Sequence, residues 1–221
     1  MSLLLPTRDS PLVCYVTDRL QLSAAFGEQS SALTAKTRAA AAAGVDLIQI
    51  REKDFAGAQL AELAREVIAG ASAVCHILIN DRLDVACAVG AAGVHLGEKS
   101  VSVRDAKSFA RERGRLKSFL IGASVHSLEA AKVAEGEGAD YLIFGPVFST
   151  PAKAPLGTPQ GLGRLEEICH QISIPVLAIG GITAENAKDC YARGAAGIAG
   201  IRLFQEAVNL KRLVAQLHVK Q

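Results

Sequence analysis

Arg51 and Lys53, in the segment IREKD, are the first side chains whose types and spacing suit an anion site. The two cations are one residue apart and follow an apolar run, so both can face the rim where a strand ends. The alternative is a solvated turn in which Arg51 pairs with Glu52 or Asp54. These residues alone leave both interpretations open.

Asn80 and Asp81 end the next apolar run, HILIN, and begin the loop after it. An aspartate just before a helix is a strong N-cap residue, which would explain its presence without any ligand. A carboxylate near cations and a phosphate group is also a common way of holding Mg²⁺. The position predicts either role.

Hydroxyl and imidazole groups follow further runs of this kind. Ser124 and His126 lie in GASVHS, and a histidine in a strand-end loop suits acid–base chemistry because its charge changes near neutral pH. His95 lies inside the run GVHL, which favours a hydrogen-bonded structural residue. The remaining histidines begin a strand or lie in outer helices and are expected to be structural: His76, His170 and His218.

The longest connection in the chain is GPVFSTPAKAPLGTPQG, and long loops in compact domains are often functional lids. Thr150 and Lys153 supply a hydroxyl donor and a cation, both suited to phosphate oxygens. The glycines and prolines of the loop are compatible with closure over a site. A surface insertion without function is the alternative.

Glycines end the last two apolar runs, in Gly180-Gly181 and in Gly200 before Ile201 and Arg202. Without side chains, paired glycines let backbone N–H groups approach an anion, and a following helix N-terminus adds positive potential. The sequence therefore predicts a phosphate site here, with a tight turn lacking any ligand as the alternative.

All these candidates follow short apolar runs that alternate with Ala-rich or charged helical stretches. The runs are LVCYVT (12–17), DLIQI (46–50), HILIN (76–80), GVHL (93–96), FLIGAS (119–124), YLIFG (141–145), PVLAIG (175–180) and GIAGI (197–201). Continuous apolar strands indicate a parallel sheet covered on both faces. Eight strand–helix repeats predict an α/β fold, a (β/α)8 TIM barrel whose strand ends share one rim. An open, doubly wound sheet is less favoured because no GxGxxG segment follows the first strand.

Composition limits the classes of partner. The 24 basic and 22 acidic residues leave a net charge of +2, which gives no reason to expect nucleic acid or an anionic membrane. Five cysteines without metal-ligand spacing, no apolar run long enough for a membrane span and no leader-like N-terminus predict a cytoplasmic protein with reduced thiols. No linker divides residues 1–221, so we expect one domain; a homodimer through outer helices is compatible with it.

The segments IREKD, INDRLDVACAVGAAGVHLG, IGASVHS, GADYLIFGPVFSTPAK, IPVLAIGGITAEN and GAAGIAGI resemble the thiamine-phosphate synthase/TenI family, from about residue 12 to about residue 205. The resemblance implies a transferase of thiamine biosynthesis. Such enzymes join 4-amino-2-methyl-5-(diphosphomethyl)pyrimidine to a thiazole phosphate and release pyrophosphate, with Mg²⁺. Departure of pyrophosphate gives a pyrimidine methylene cation, which the thiazole nitrogen traps. Small phosphorylated molecules are thus the implied partners.

The resemblance also assigns roles at the pyrophosphate end of the site. Arg51 and Lys53 match the family's pyrophosphate-binding pair, and Asn80 matches a further pyrophosphate contact. Asp81 matches a magnesium ligand. Ser124 matches a hydroxyl that contacts pyrophosphate or positions the substrate.

The other matching positions concern the two rings and the mobile loop. Gln49 matches a residue that lines the pyrimidine site, and Thr150 and Lys153 match the threonine and lysine of the loop. The backbone amides that hold the thiazole phosphate match three residues: Gly181, Ile201 and Arg202.

Three positions depart from the family pattern. The second magnesium carboxylate, in the family phrase HLGQxD, is Ser100 here, which lowers the expected metal affinity unless Glu98 or a water compensates. The second threonine of the loop pattern PTxTK is Ala152. Arg202 stands where serine is usual, although a cation there still favours phosphate.

Two other functions compete with the synthase. A TenI-type tautomerase would isomerise the thiazole carboxylate phosphate without metal, with His126 of the TenI-like phrase SVHS as acid and base. Lys53 and the Asn80-Asp81 pair favour the synthase instead, because they suit a pyrophosphate and its metal. A non-catalytic regulator that only binds thiamine-pathway phosphates would explain the loss of a carboxylate at Ser100.

Overall fold

The computed structural model describes residue 5 and residues 10–22, 25, 27–115, 118–149 and 158–219. Eight parallel strands pair in chain order and close into a barrel. They are β1 (Leu12–Val16), β2 (Leu47–Ile50), β3 (His76–Asn80), β4 (Gly93–Leu96), β5 (Leu120–Val125), β6 (Tyr141–Phe144), β7 (Val176–Ala178) and β8 (Gly197–Gly200). The predicted (β/α)8 barrel is confirmed, with all eight strands within two residues of their expected bounds.

Helices follow the strands and cover the outside of the barrel. They are α1 (Gln29–Ala42), α2 (Gly57–Gly70), α3 (Leu83–Ala88), α4 (Val103–Glu112), α5 (Leu128–Gly136), α6 (Gly161–Gln171), α7 (Ala187–Ala192), α8 (Arg202–Gln205) and α9 (Leu210–Leu217). Gly44, Gly138 and Gly194 end helices with φ of +96°, +94° and +89°, in the left-handed region that glycine enters without a steric penalty.

Two apolar cores explain why the strands carry continuous apolar runs. Leu12, Cys14 and Val16 of β1 belong to the core inside the barrel, whereas Val13 and Tyr15 pack against the surrounding helices. Successive strand residues point to opposite faces, so a strand between two cores needs apolar side chains on both. Because all strands are parallel, the loops after them meet at one end of the barrel, which we call the mouth.

Two features of the composition can be compared with the fold, the thiols and the apolar segments. The five cysteines are free, and three of them are buried. Within the described ranges, no helix has the length and apolar character needed to cross a membrane.

Candidate active site

A buried ion-pair cluster holds the loop after β2, and sequence reasoning missed it. Arg19 is bound to Glu52 (Nη1–Oε2 3.1 Å) and makes two hydrogen bonds to Asp54. Thr17 Oγ1 donates to Glu52 at 2.6 Å and accepts from the backbone N–H of Arg51 at 2.9 Å. Glu52 and Asp54, the carboxylates that the solvated-turn alternative offered as partners of Arg51, are therefore bound by Arg19.

Gln49 and Asn80 connect β2 to β3 at the mouth. Gln49 Nε2 donates to Asn80 Oδ1 at 2.8 Å, and Asn80 Nδ2 donates to Asp81 Oδ2 at 2.8 Å. Gln49 is only 3% exposed, and its Oε1 accepts no hydrogen bond from any residue that the structure describes. A buried acceptor without a partner is costly, so this oxygen is suited to an N–H donor of a ligand.

Asp81 has the geometry of a ligand-binding carboxylate rather than of a helix cap. Its φ is +60°, and its Oδ1 accepts hydrogen bonds from Gly97 N–H (2.9 Å) and from the Ser100 hydroxyl. The N-cap position of α3 belongs to Arg82, so the N-cap interpretation of Asp81 is wrong. The side chain faces the loop after β4 instead.

The pKa of Asp81 is lowered from its ordinary value. Partial burial opposes ionisation, but hydrogen bonds from Ser100, Gly97 and Asn80 and the nearby Lys53 charge outweigh it. Asp81 is therefore an anion at neutral pH.

The donor set at Asp81 fits Mg²⁺ only if the substrate completes it. No group of three His, Cys, Asp or Glu side chains that could hold a metal occurs among the described residues. Magnesium is usually held by one or two carboxylates together with waters and substrate phosphates, for which one ionised carboxylate is enough. Ser100, at the position of the missing second carboxylate, donates to Asp81.

His95 lies inside the barrel and joins two neighbouring strands. It is 1% exposed; its Nδ1 is 2.9 Å from Tyr141 Oη, and its Nε2 is 2.8 Å from Ser124 Oγ. Burial lowers the pKa of His95 to about 4, so the ring is neutral at physiological pH. The expected hydrogen-bonded barrel residue is found, and its partner is one of the candidate site residues.

His126 is exposed at the mouth and is bound to Glu98. Glu98 Oε1 accepts from His126 Nδ1 at 2.9 Å and from its backbone N–H at 3.0 Å. Glu98 is thus engaged by the loop after β5. The remaining histidines lie away from the mouth: His76 begins β3, His170 is exposed on α6, and His218 contacts Asp46.

The loops after β6, β7 and β8 line an open cavity of about 680 Å³. Its lining includes Gly181, Ile201 and Arg202, the residues expected to hold a phosphate. Gly181 has φ of +65°, and a Cβ there would lie 2.5 Å from the carbonyl oxygen of Ser149, so only glycine fits. Arg202 Nε lies 3.6 Å from Glu206. The helix α8 has only four residues, so its dipole adds little.

Candidate residues therefore fall into two groups at the mouth. Those after β2 to β5 are joined by hydrogen bonds or charge, whereas the cavity collects only those after β6 to β8. Thr150 and Lys153, which were expected to offer a hydroxyl and a cation to phosphate oxygens, lie outside the described residues. Thr17 and Arg19 lie within three residues of the end of β1. The other candidates were selected because they follow the carboxyl end of a strand, and the same criterion would have found these two.

Fold and mouth together define a (β/α)8-barrel protein with cations, the ionised carboxylate of Asp81 and a glycine-lined cavity at the carboxyl ends of its strands. The model of the thiamine monophosphate synthase family matches residues 16–204. The chain belongs to this family of enzymes.

Individual relatives agree with the family match. Thiamine-phosphate synthase of Methanoculleus marisnigri is 46% identical over 167 residues, 74% of this chain and 76% of that protein. Thiamine-phosphate synthase of Syntrophomonas wolfei is 38% identical over 197 residues, 89% of each chain. The solved structure of thiamine phosphate pyrophosphorylase from Pyrococcus furiosus is 33% identical, with a TM-score of 0.78 and 93% of both chains covered.

Proposed function

We propose that this protein is a thiamine-phosphate synthase that joins hydroxymethylpyrimidine diphosphate to a thiazole phosphate and releases pyrophosphate. Family membership supports the reaction class. The single observation that carries the proposal is the unpartnered Oε1 of buried Gln49, which lies beside Asn80 and the ionised Asp81. An acceptor for an amino group thus adjoins residues suited to a pyrophosphate and its metal.

The pyrimidine ring is assigned to Gln49. The 4-amino group of the substrate is an N–H donor, and Gln49 Oε1 is an acceptor held in one orientation by the bond from its Nε2 to Asn80. The match gives the ring a fixed position before reaction, which lowers the entropy cost of bringing the two substrates together.

The pyrophosphate group is assigned to Arg51, Lys53, Asn80 and Ser124. When the bond between the methylene carbon and the pyrophosphate oxygen breaks, the oxygen keeps the electron pair. Fixed cations and hydrogen-bond donors stabilise this developing charge, and the thiazole nitrogen then donates its lone pair to the carbon. The cluster around Arg19 keeps the backbone of Arg51 in place for this role.

Magnesium is assigned to Asp81, with phosphate oxygens and waters completing its coordination. When bound, it would neutralise charge on the departing pyrophosphate. The thiazole phosphate is assigned to the cavity at Gly181, Ile201 and Arg202. Thr150 and Lys153 are proposed to contact phosphate oxygens from the loop after β6.

The tautomerase is not favoured by the comparisons, since these relatives are named thiamine-phosphate synthase or thiamine phosphate pyrophosphorylase. We also propose a cytoplasmic location, which the free, largely buried thiols support.

The decisive experiment incubates the protein with both synthase substrates and Mg²⁺ and follows thiamine phosphate and pyrophosphate by liquid chromatography.

Product that requires Mg²⁺ and is lost in Asp81→Ala is the expected result, with His126→Ala retaining activity. Proton exchange on the thiazole carboxylate phosphate, lost in His126→Ala but kept in Asp81→Ala, would favour the tautomerase instead. Binding of the phosphates without turnover would instead favour the non-catalytic regulator.

A further inference from the structure

A chain of three side chains crosses the inside of the barrel and ends at the mouth. Tyr141 of β6 contacts His95 of β4, and His95 contacts Ser124 of β5. Tyr141 is 0% exposed, and its ring occupies the space beside Gly122, where a Cβ would lie 2.1 Å from the phenol carbon Cζ. The packing therefore fixes the phenol against His95.

The direction of the two hydrogen bonds follows from the buried end of the chain. Within the described part of the protein, His95 Nδ1 is the one hydrogen-bond partner of the Tyr141 phenol. A buried O–H that does not donate is costly, so the phenol donates and Nδ1 accepts. A neutral imidazole carries one proton, which must then lie on Nε2 and point to Ser124 Oγ.

We propose that His95 is a positioning residue, which Tyr141 holds in the Nε2–H form so that Ser124 accepts from His95 and donates its own proton to an anionic oxygen at the mouth. The proposal rests on the proposed function in one respect, because the anion is then the pyrophosphate group. Ser124 is half-buried at the end of β5, and its hydroxyl has one proton to give.

If the two hydrogen bonds of His95 ran in the opposite direction, the consequence for the anion would differ. If His95 carried its proton on Nδ1 and donated to Tyr141, the Ser124 hydroxyl would donate to Nε2. Ser124 would then present only lone pairs to the mouth, which repel an anion. The tautomer of one buried imidazole thus decides whether the serine attracts or repels pyrophosphate.

The tautomer can be measured without any assumption about activity. The chain has five histidines, so nitrogen-15 spectra of histidine-labelled protein are resolvable, and His95→Gln identifies the His95 signals. We expect the Nε2–H form at neutral pH, and a shift toward a mixture of forms in Tyr141→Phe. An Nδ1–H signal in the unmodified protein would overturn the proposal.

Binding of inorganic pyrophosphate with Mg²⁺, measured by calorimetry, tests the role of Ser124. Ser124→Ala and Tyr141→Phe should each weaken binding, by roughly 10-fold or more for the serine, since one donor to an anion is lost. In Ser124→Ala protein, the further change Tyr141→Phe should alter binding by less than about twofold, because Tyr141 acts only through Ser124. Independent, additive effects of the two changes would contradict the proposal that Tyr141 acts through Ser124.

Tyr15→Phe is the matched control, because Tyr15 is the other tyrosine with no exposed surface and packs against Phe204 outside the barrel. It should leave pyrophosphate binding unchanged, and thermal unfolding of all variants separates loss of binding from loss of fold. With the synthase substrates, kcat should follow the same pattern: Tyr141→Phe should lower it in the otherwise unmodified protein and change it little in Ser124→Ala protein. If the unmodified protein forms no thiamine phosphate, the proposed function fails, whereas the tautomer and the pyrophosphate titrations still decide the role of His95.

Discussion

Gln49 and Asp81 show how a residue becomes suited to a ligand through the groups that it already contacts. Gln49 has its amide N–H₂ engaged by Asn80 and its carbonyl oxygen left without a partner. Asp81 has its carboxylate held by Gly97 and Ser100 while remaining ionised. Both side chains are therefore oriented before a ligand arrives, which reduces the cost of binding.

Replacing Gln49 by methionine should affect the pyrimidine substrate alone. Gln49→Met keeps the side-chain volume but removes the buried acceptor, so the KM for the pyrimidine substrate should rise by roughly 10- to 100-fold, as expected for one lost hydrogen bond. Steady-state kinetics with each substrate varied in turn measures the effect. Gln205→Met is the control, because Gln205 also has an unpartnered buried Oε1 but lies on α8. Equal effects on the KM of both substrates would contradict the assignment.

A second carboxylate beside Asp81 should raise the affinity for metal. Ser100→Asp adds an anionic oxygen where the hydroxyl now contacts Asp81, so Mg²⁺ affinity in the presence of pyrophosphate should rise by about 10-fold. Isothermal titration calorimetry provides the measurement. Ser118→Asp places the same charge at the other end of the barrel, on an exposed residue before β5, and should change nothing. An unchanged Mg²⁺ affinity in Ser100→Asp would contradict the assignment of Asp81 to the metal site.

At the scale of elements, the loops after β1 and β2 are fixed to each other by charge. Arg19 and Glu52 are both almost fully buried in their side chains, 10% and 2% exposed, and Asp54 completes the cluster from the surface side. Hydrogen bonds from Arg19 lower the pKa of Asp54 from its ordinary value. The cluster gives two loops one relative position, and Arg51 lies between its members in sequence.

Arg19→Met should destabilise the protein and impair the neighbouring anion site. It leaves the Glu52 carboxylate buried without its cation, so the free energy of unfolding in urea should fall by about 3 kcal/mol. Pyrophosphate binding should weaken as well, because the backbone of Arg51 loses its support. Arg193→Met, which breaks an exposed pair with Glu166, should cost no more than about 1 kcal/mol. Equal losses in the two variants would show that the buried cluster has no special role.

At the scale of the whole molecule, the two ends of the barrel differ in their polar groups. The mouth carries the polar network described above, whereas the opposite end contains His76 at the start of β3 and the contact between His218 and Asp46. His76 Nδ1 is buried and has no hydrogen-bond partner among the described residues. Burial lowers the pKa of His76, so the folded protein favours the neutral ring.

Protonation of His76 should therefore make stability depend on pH. Below about pH 6.5 the unfolded chain binds a proton that the folded protein resists, so the free energy of unfolding falls as the pH decreases. His76→Gln should reduce this loss between pH 7 and pH 5 in urea unfolding experiments. His170→Gln, on the exposed face of α6, controls for the substitution itself. An identical slope in His76→Gln and the unmodified protein would contradict the prediction.

The sequence by itself determined the barrel and most of the residues at its mouth. Continuous apolar runs such as HILIN and GVHL are buried on both faces only in a parallel sheet with helices outside, so their period and spacing predict eight strands. Parallel strands have one carboxyl end, and this rule alone selected Arg51, Asp81 and Gly181. Local patterns carry this information because they report burial and chain direction, not contacts.

Only the tertiary structure decided which partner each side chain has. Glu52, which the solvated-turn alternative paired with Arg51, is bound by Arg19, 33 residues away in sequence. His95 is joined to Tyr141, 46 residues away. Such contacts depend on barrel closure and on side-chain packing, which no short segment encodes. For the same reason, the absence of a partner for Gln49 Oε1 became visible only when its whole surroundings were present.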